Sequence, residues 1–146
     1  MGMALTSCTP PAKGSPLFEL GEDEMEMGVG IHGEPGRRRV RLGTADEIAG
    51  ELVGSILKDL SMARGQEVLL FVNGFGGTPT LELYLVVTAA LKVLQGSGIK
   101  AVRFLTGSYV TSLEMAGCSI SVTAVDAPML ALWDAPVHTA ALRWGV

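Results

Sequence analysis

The clearest chemical candidate in this chain is His32, set in GVGIHGEPG at residues 28–36, with Glu34 two positions on and Pro35 after it. Glycines remove the bulk that would keep a small ligand off the ring, and they reach positive φ angles that other residues resist. Near pH 7 a histidine with its reference pKa of ~6.5 is mostly neutral. A neutral ring nitrogen can add to an electrophilic carbonyl. On the residues alone, His32 is either such a nucleophile or a hydrogen-bonding histidine in a turn. Metal chemistry fits poorly, because Glu34 is the sole nearby ligand type and no His/Cys cluster accompanies it. A catalytic triad fits poorly too, since no nucleophile elbow is present.

Gly28, Gly30 and Gly33 also satisfy the bare spacing of a dinucleotide-binding loop. That loop must lie between a strand and the helix it opens, whereas these glycines lie within a strand pattern and run on into EPGRRR. A second glycine loop, NGFGGTP at residues 73–79, has the strand-to-helix setting but lacks the Lys-Ser/Thr of a Walker loop. It reads as a tight turn feeding a capped helix, with an anion at the helix N-terminus or a subunit contact as the lesser alternatives. His138, among Ala and Pro near the end of the chain, reads as a surface or packing residue. Glu24 and Glu26 read as solvated or polar-network groups. Arg37, Arg38, Arg39 and Arg41 read as a solvated edge or turn, with a phosphate contact as the lesser alternative.

The elements that must position these residues follow from periodicity. Glu24 to Ile31 alternates, with Met25, Met27, Val29 and Ile31 on one side and Glu24, Glu26, Gly28 and Gly30 on the other, as in a half-buried strand. His32 then falls at the strand's end, where catalytic groups are common. MGMAL at the start also reads as strand, which places Met1 inside a larger architecture, and TPPAKGSP reads as loop. Thr44 to Glu47 is a capping box, and Ile48, Leu52, Ile56 and Leu60 recur at helical spacing, predicting a helix over 45–60.

Glu67 to Asn73 is a continuous apolar strand. Thr78 as N-cap and Pro79 at the first helical position open a helix that stops at Gly96 and Gly98. Ile99 to Leu105 predicts a strand, Thr111 to Met115 a helical turn, Ser119 to Val125 a strand, and Asp126 caps a last helix through Leu132. The fold class is therefore α/β, a two-layer mixed β-sheet with helices packed against it, in one domain over 1–146.

At 146 residues and 48% hydrophobic, with mean hydropathy +0.38, the chain is long and apolar enough for one domain with a real core. A net charge of −4 gives no general attraction to phosphate backbones or anionic lipid, so no nucleic acid and no membrane is expected as partner. The longest apolar tract, Leu81 to Leu94, is interrupted by Glu82 and Lys92. It is shorter than the ~20 residues a spanning helix needs. Cys8 and Cys118 have no metal-type spacing, and two cysteines do not make a disulfide framework, which points to reduced thiols in the cytoplasm.

Four separated blocks, FELGEDEMEMGVGIHGEPG, VNGFGGTPTLELY, GSYVTSLEMAG and LALWDAPVHTAALRWG, together resemble the second domain of the dihydroxyacetone kinase substrate-binding subunit, the DhaK family. The resemblance runs over nearly the whole chain, with the blocks in the family's order. It implies a homodimeric two-domain subunit that binds dihydroxyacetone covalently, as a hemiaminal on the histidine of GIHGEPG. It thus implies a catalytic and substrate-binding role for His32. It implies no cofactor or metal in this chain, with the nucleotide or phosphoryl donor on a separate L subunit or fused L domain. The tail resembles the end of a free-standing subunit, which favours the phosphotransferase-system-linked type.

The family's first domain carries a GSGHEP block and an aspartate that complete the substrate pocket, and neither is found here. The resemblance therefore implies a fragment or half-subunit whose N-terminal domain is absent. Two functions follow: a glycerone kinase component that is inactive alone, or a truncated module that dimerises or docks on a regulator or L subunit.

Overall fold

A computed structural model of the chain describes residues 1–31 and 36–146. Its elements in chain order are β1 (Gly2–Ala4), β2 (Glu24–Met27), β3 (Arg38–Arg41), α1 (Ala45–Leu60), β4 (Glu67–Gly74), α2 (Thr80–Gly96), β5 (Lys100–Gly107), β6 (Gly117–Ala124), α3 (Ala127–Asp134), β7 (Val137–His138) and β8 (Arg143–Trp144). Six strands form one mixed sheet in the order β3-β2-β1-β6-β4-β5, and β7 and β8 pair as a separate hairpin. Among the described residues, only β4 and β5 run parallel, joined through α2 as a strand-helix-strand crossover. The α/β class with a mixed sheet and packed helices is what the sequence predicts.

One face of the sheet carries the main core. Met3, Met25, Met27, Val68, Leu70, Val72, Cys118 and Ile120 point from the strands toward Ile48, Leu52 and Val53 of α1 and Leu83, Val87 and Leu94 of α2. The predicted helix over 45–60 is observed with its capping box. The Glu47 amide donates to Thr44 Oγ1 at 3.3 Å, and the Thr44 amide donates to Glu47 Oε2 at 2.8 Å. Leu60 ends the apolar stripe half-exposed.

The opposite face carries a second, smaller cluster of Ala4, Cys8, Val29, Phe75 and Met115, edged by Leu17 and Phe18. Here the structure corrects the predicted strand over 24–31. β2 stops at Met27, and Gly28 takes φ +83°, which breaks the alternation. Val29 accordingly packs into the second cluster, away from Met25 and Met27, and Ile31 is exposed.

Three further expectations change. Thr78 does not cap α2, whose N-cap is Pro79 with no side-chain bond. The Thr78 hydroxyl is engaged across the loop, accepting from the Gly117 amide at 2.7 Å and donating to its carbonyl at 2.9 Å. Thr111 to Met115 is not helical, because Leu113 adopts φ +54°. The last helix continues two residues past Leu132 to Asp134, where the carboxylate meets Arg103 Nη2 at 2.7 Å. Arg38, Arg39 and Arg41 lie exposed on the edge strand β3, as the solvated-edge assignment expects. Among the described residues, no helix is long and apolar enough to cross a membrane.

Candidate functional site

His32 and Glu34 lie in the connection between β2 and β3, and both fall outside the described residues. The frame that holds this connection is described on both sides. Its two arms are closed by backbone bonds: the Gly28 amide donates to the Gly2 carbonyl at 2.7 Å, and the Arg37 amide donates to the Met27 carbonyl at 2.7 Å. Side chains would not fit at its base. A Cβ at Gly36 would lie 2.5 Å from the Met27 oxygen, and one at Gly28 would lie 2.9 Å from Arg37 Cγ. Gly28 and Gly36 thus serve a close pass of two chain arms.

Glu26 sits beneath this base, 7% exposed, although the sequence places it among solvated or polar-network groups. Its carboxylate lies 3.6 Å from Arg39 Nε, in cross-strand register, and Arg39 also reaches Glu24 at 3.6 Å. The polar-network alternative is the one realised. A cleft of about 640 Å³ opens beside the same base, lined by Gly28, Val29 and Arg37 on one side and Ser55, Lys58 and Asp59 of α1 on the other. Arg37 and Lys58 share its lining with the Asp59 carboxylate, so it offers both signs of charge to a small polar molecule.

The second glycine loop meets the first through Gly2. A Cβ at Gly2 would lie 2.8 Å from the Val29 carbonyl oxygen and 2.9 Å from the Phe75 ring, so the root of the His32 connection and the NGFGG loop converge on one position. No periodicity links these segments. The signal available in the sequence is their shared glycine richness. Phe75 is fully buried, and its loop is stitched to residues 108–117: the Ser112 amide donates to Phe75 O, the Gly77 amide to Met115 O, and the Phe75 amide to Gly117 O. Asn73, 1% exposed, anchors the arrangement through Tyr109 and Val110. The Phe75 and Gly77 amides of this loop are thereby occupied by protein carbonyls, which supports the structural turn over an anion site.

Other candidates stand apart. His138 is exposed on β7 opposite Arg143. Cys8 and Cys118 are free and buried, and burial pushes the Cys118 thiol up to about 12. Among the described residues, no group of three His, Cys, Asp or Glu could hold a metal ion.

Comparison with known proteins adds the following. Residues 1–141 match the family model of the Dak1 domain. The chain is 41% identical over 169 aligned residues to the "PEP-dependent dihydroxyacetone kinase, dihydroxyacetone-binding subunit DhaK" of Escherichia coli K12, covering 99% of this chain and 48% of that protein. It is 39% identical to the human "Triokinase/FMN cyclase", covering 99% of this chain and 25% of the human one. The chain therefore spans about half the length of its bacterial relative. Among solved structures, the "Dihydroxyacetone kinase operon co-activator Dha-DhaQ" superposes with a TM-score of 0.83 at 32% identity, covering 92% of this chain and 42% of that one. The dihydroxyacetone kinase of C. freundii superposes with a TM-score of 0.75 at 22% identity over 89% of this chain and 24% of that one, a likeness of fold.

Proposed function

The chain belongs to the Dak1 domain family, and on that premise we propose that it is the half of a dihydroxyacetone kinase substrate-binding subunit that holds dihydroxyacetone covalently on His32. What carries this is the match of 99% of the chain, GIHGEPG included, to a dihydroxyacetone-binding subunit at 41% identity. In the covalent step a ring nitrogen of His32 adds to the C2 carbonyl. The N–C bond forms, the C=O π bond breaks, and the new alkoxide takes the proton that the imidazole gives up. Nothing leaves, so the product is a hemiaminal.

This chemistry selects a ketone over glycerol, which has no carbonyl to attack. His32 acts by positioning: the anchored substrate presents a terminal hydroxyl to the phosphoryl group, and attack on phosphorus comes from that hydroxyl. The pinched base formed by Gly28 and Gly36 supports such a role by fixing where the connection leaves the sheet. The phosphoryl donor is carried by a separate L subunit or domain. The remainder of the substrate pocket comes from the other half of the subunit, which assembles as a homodimer.

A second function, docking on a regulator or L subunit without catalysis, is favoured by the 32% identity to the dihydroxyacetone kinase operon co-activator. One experiment separates the two. The chain is mixed with the part of the Escherichia coli subunit that it does not match, with the L-type donor component and with dihydroxyacetone. Formation of dihydroxyacetone phosphate that is lost in His32→Ala supports the kinase component. Stable binding to these proteins with no product supports the docking module.

A further inference from the structure

Among the described residues, Glu26 is the only charged one that is buried. Its cross-strand partner on β1 is Ala4, a member of the second cluster, so the carboxylate lies on the face of the sheet toward which Val29 turns. An apolar side chain would serve the packing there. Burying a carboxylate is costly unless an opposite charge and hydrogen bonds compensate it. Arg39 Nε stands 3.6 Å from Oε2, beyond hydrogen-bond length, so the arginine attracts the carboxylate without satisfying it. The other oxygen lies against the foot of the His32 connection: a Cβ at Gly36 would be 2.6 Å from Glu26 Cγ and 3.0 Å from Oε1. Glu26 thus fills the space in which residue 36 would otherwise carry a side chain.

We propose that Glu26 is a positioning residue for His32: Arg39 steadies one oxygen of its carboxylate, and the other meets the foot of the connection and sets the direction in which the ring is carried. The role of His32 rests on the proposed function, whereas the place of the carboxylate under the connection does not. Two backbone bonds, from the Gly28 amide to Gly2 O and from the Arg37 amide to Met27 O, fix where the arms leave the end of β2. A segment fastened at two points can still swing about the line that joins them. Glu26 supplies a contact off that line, against Gly36 on the second face of the sheet, and so removes the swing.

Arg39 is itself held in place. It lies opposite Glu26 in the β2–β3 register and also reaches Glu24 Oε2 at 3.6 Å, and that oxygen accepts from the Gly21 amide at 2.9 Å. Glu24, Arg39 and Glu26 therefore form a line of alternating charge that ends at Gly36. Arg38, one position earlier, lies opposite Met27 on the helix-bearing face and pairs with Glu51 of α1, so it takes no part. Placement matters to this chemistry, because a displacement of ~1 Å can lower a rate ~100-fold.

The test is NMR of the histidine ring protons in the 146-residue chain, which has two histidines, His32 and the exposed His138, so that the second serves as an internal reference. Glu26→Gln keeps the shape against Gly36 but offers one acceptor in place of two and loses the attraction of Arg39. Glu26→Gln and Arg39→Gln are expected to move the His32 ring signals and leave those of His138 in place, while Arg38→Gln moves neither. In the chain completed by the unmatched part of the Escherichia coli subunit, Glu26→Gln is expected to raise about tenfold the dihydroxyacetone concentration that gives half the His32 adduct. A purely structural role would lower the urea midpoint and leave the ring signals unmoved. His32 signals that coincide with the parent's in Glu26→Gln overturn the positioning, and Arg39→Gln, on a half-exposed side chain, carries the same comparison if Glu26→Gln does not fold. An adduct of parental strength in Glu26→Gln also overturns the positioning and leaves the proposed function standing. Moved ring signals with no adduct in the completed parent uphold the positioning and count against the function.

Discussion

Asn73, buried at the end of β4, holds Val110 by both ends of its amide: Nδ2 donates to the Val110 carbonyl at 2.7 Å, and Oδ1 accepts from the Val110 N–H at 2.9 Å. Oδ1 also accepts from the Tyr109 N–H at 3.0 Å, so one side chain replaces three backbone partners. The NGFGG loop and the loop after β5 are thereby fixed to each other, beneath the cluster in which Val29 seats the root of the His32 connection.

Asn73→Ala strands these backbone groups beside a new cavity and is expected to cost about 2–4 kcal/mol. Asn73→Asp keeps the acceptor and loses the donor, so it falls between. Urea denaturation of the three proteins checks the order. An alanine variant within about 1 kcal/mol of the parent contradicts the clamp.

Gly28→Ala places a Cβ at φ +83° and 2.9 Å from Arg37 Cγ. The left-handed backbone alone costs about 1–2 kcal/mol. Gly2→Ala drives a methyl against the Val29 carbonyl and the Phe75 ring. Both variants are expected to stay folded by circular dichroism and to lower the affinity for dihydroxyacetone in the reconstituted subunit. Unchanged affinity in both would sever the link between the two glycine loops and the site.

Thr44→Ala removes the N-cap of α1 and is expected to cost about 1 kcal/mol at neutral pH. Hydrogen bonds from the Thr44 backbone and then its hydroxyl hold the Glu47 carboxyl below its usual range. The folded chain therefore binds that proton less readily than the unfolded chain. The stabilisation is complete above the unfolded carboxyl's titration, at 4.5, and fades as pH falls through the lower folded value. The gap between parent and Thr44→Ala should narrow below pH 4.5 in chemical denaturation, and a gap that widens there is the contrary result.

Cys118 lies under the sheet with its thiol pushed up to about 12 by burial, and Cys8 is buried beside Ser112. A thiol reagent at pH 8 is expected to modify neither at a useful rate in the native chain and both in denaturant. Rapid native-state labelling at Cys118 would show that the β1–β6 junction opens readily.

The two helices of the main core were the most legible parts of the fold, because Ile48, Leu52 and Ile56 repeat on one face and Thr44 with Glu47 marks the start. Edge strand β3 was legible only as a run of charge, since Arg38, Arg39 and Arg41 leave Val40 as the single apolar position. The end of β2 was misread because a period of two in Met25, Met27, Val29 and Ile31 looks unbroken until Gly28 reverses the face. Thr78 was misread because its hydroxyl serves Gly117, a partner 39 positions away that no local pattern announces. Of the candidate site, the motif GIHGEPG is what carries the proposal for His32, which lies outside the described residues. The pairing of Glu26 with Arg39 and the meeting of Val29 and Phe75 at Gly2 depend on strand order, which periodicity does not encode.

The central claim is a covalent bond between His32 and dihydroxyacetone, and intact mass spectrometry under native conditions tests it most directly. The chain, completed by the unmatched part of the Escherichia coli subunit, is incubated with dihydroxyacetone, with glycerol as the comparison. A mass increase of one whole dihydroxyacetone, absent with glycerol and absent in His32→Ala, is the predicted result. No increase in the completed subunit, or an increase that survives His32→Ala, contradicts it.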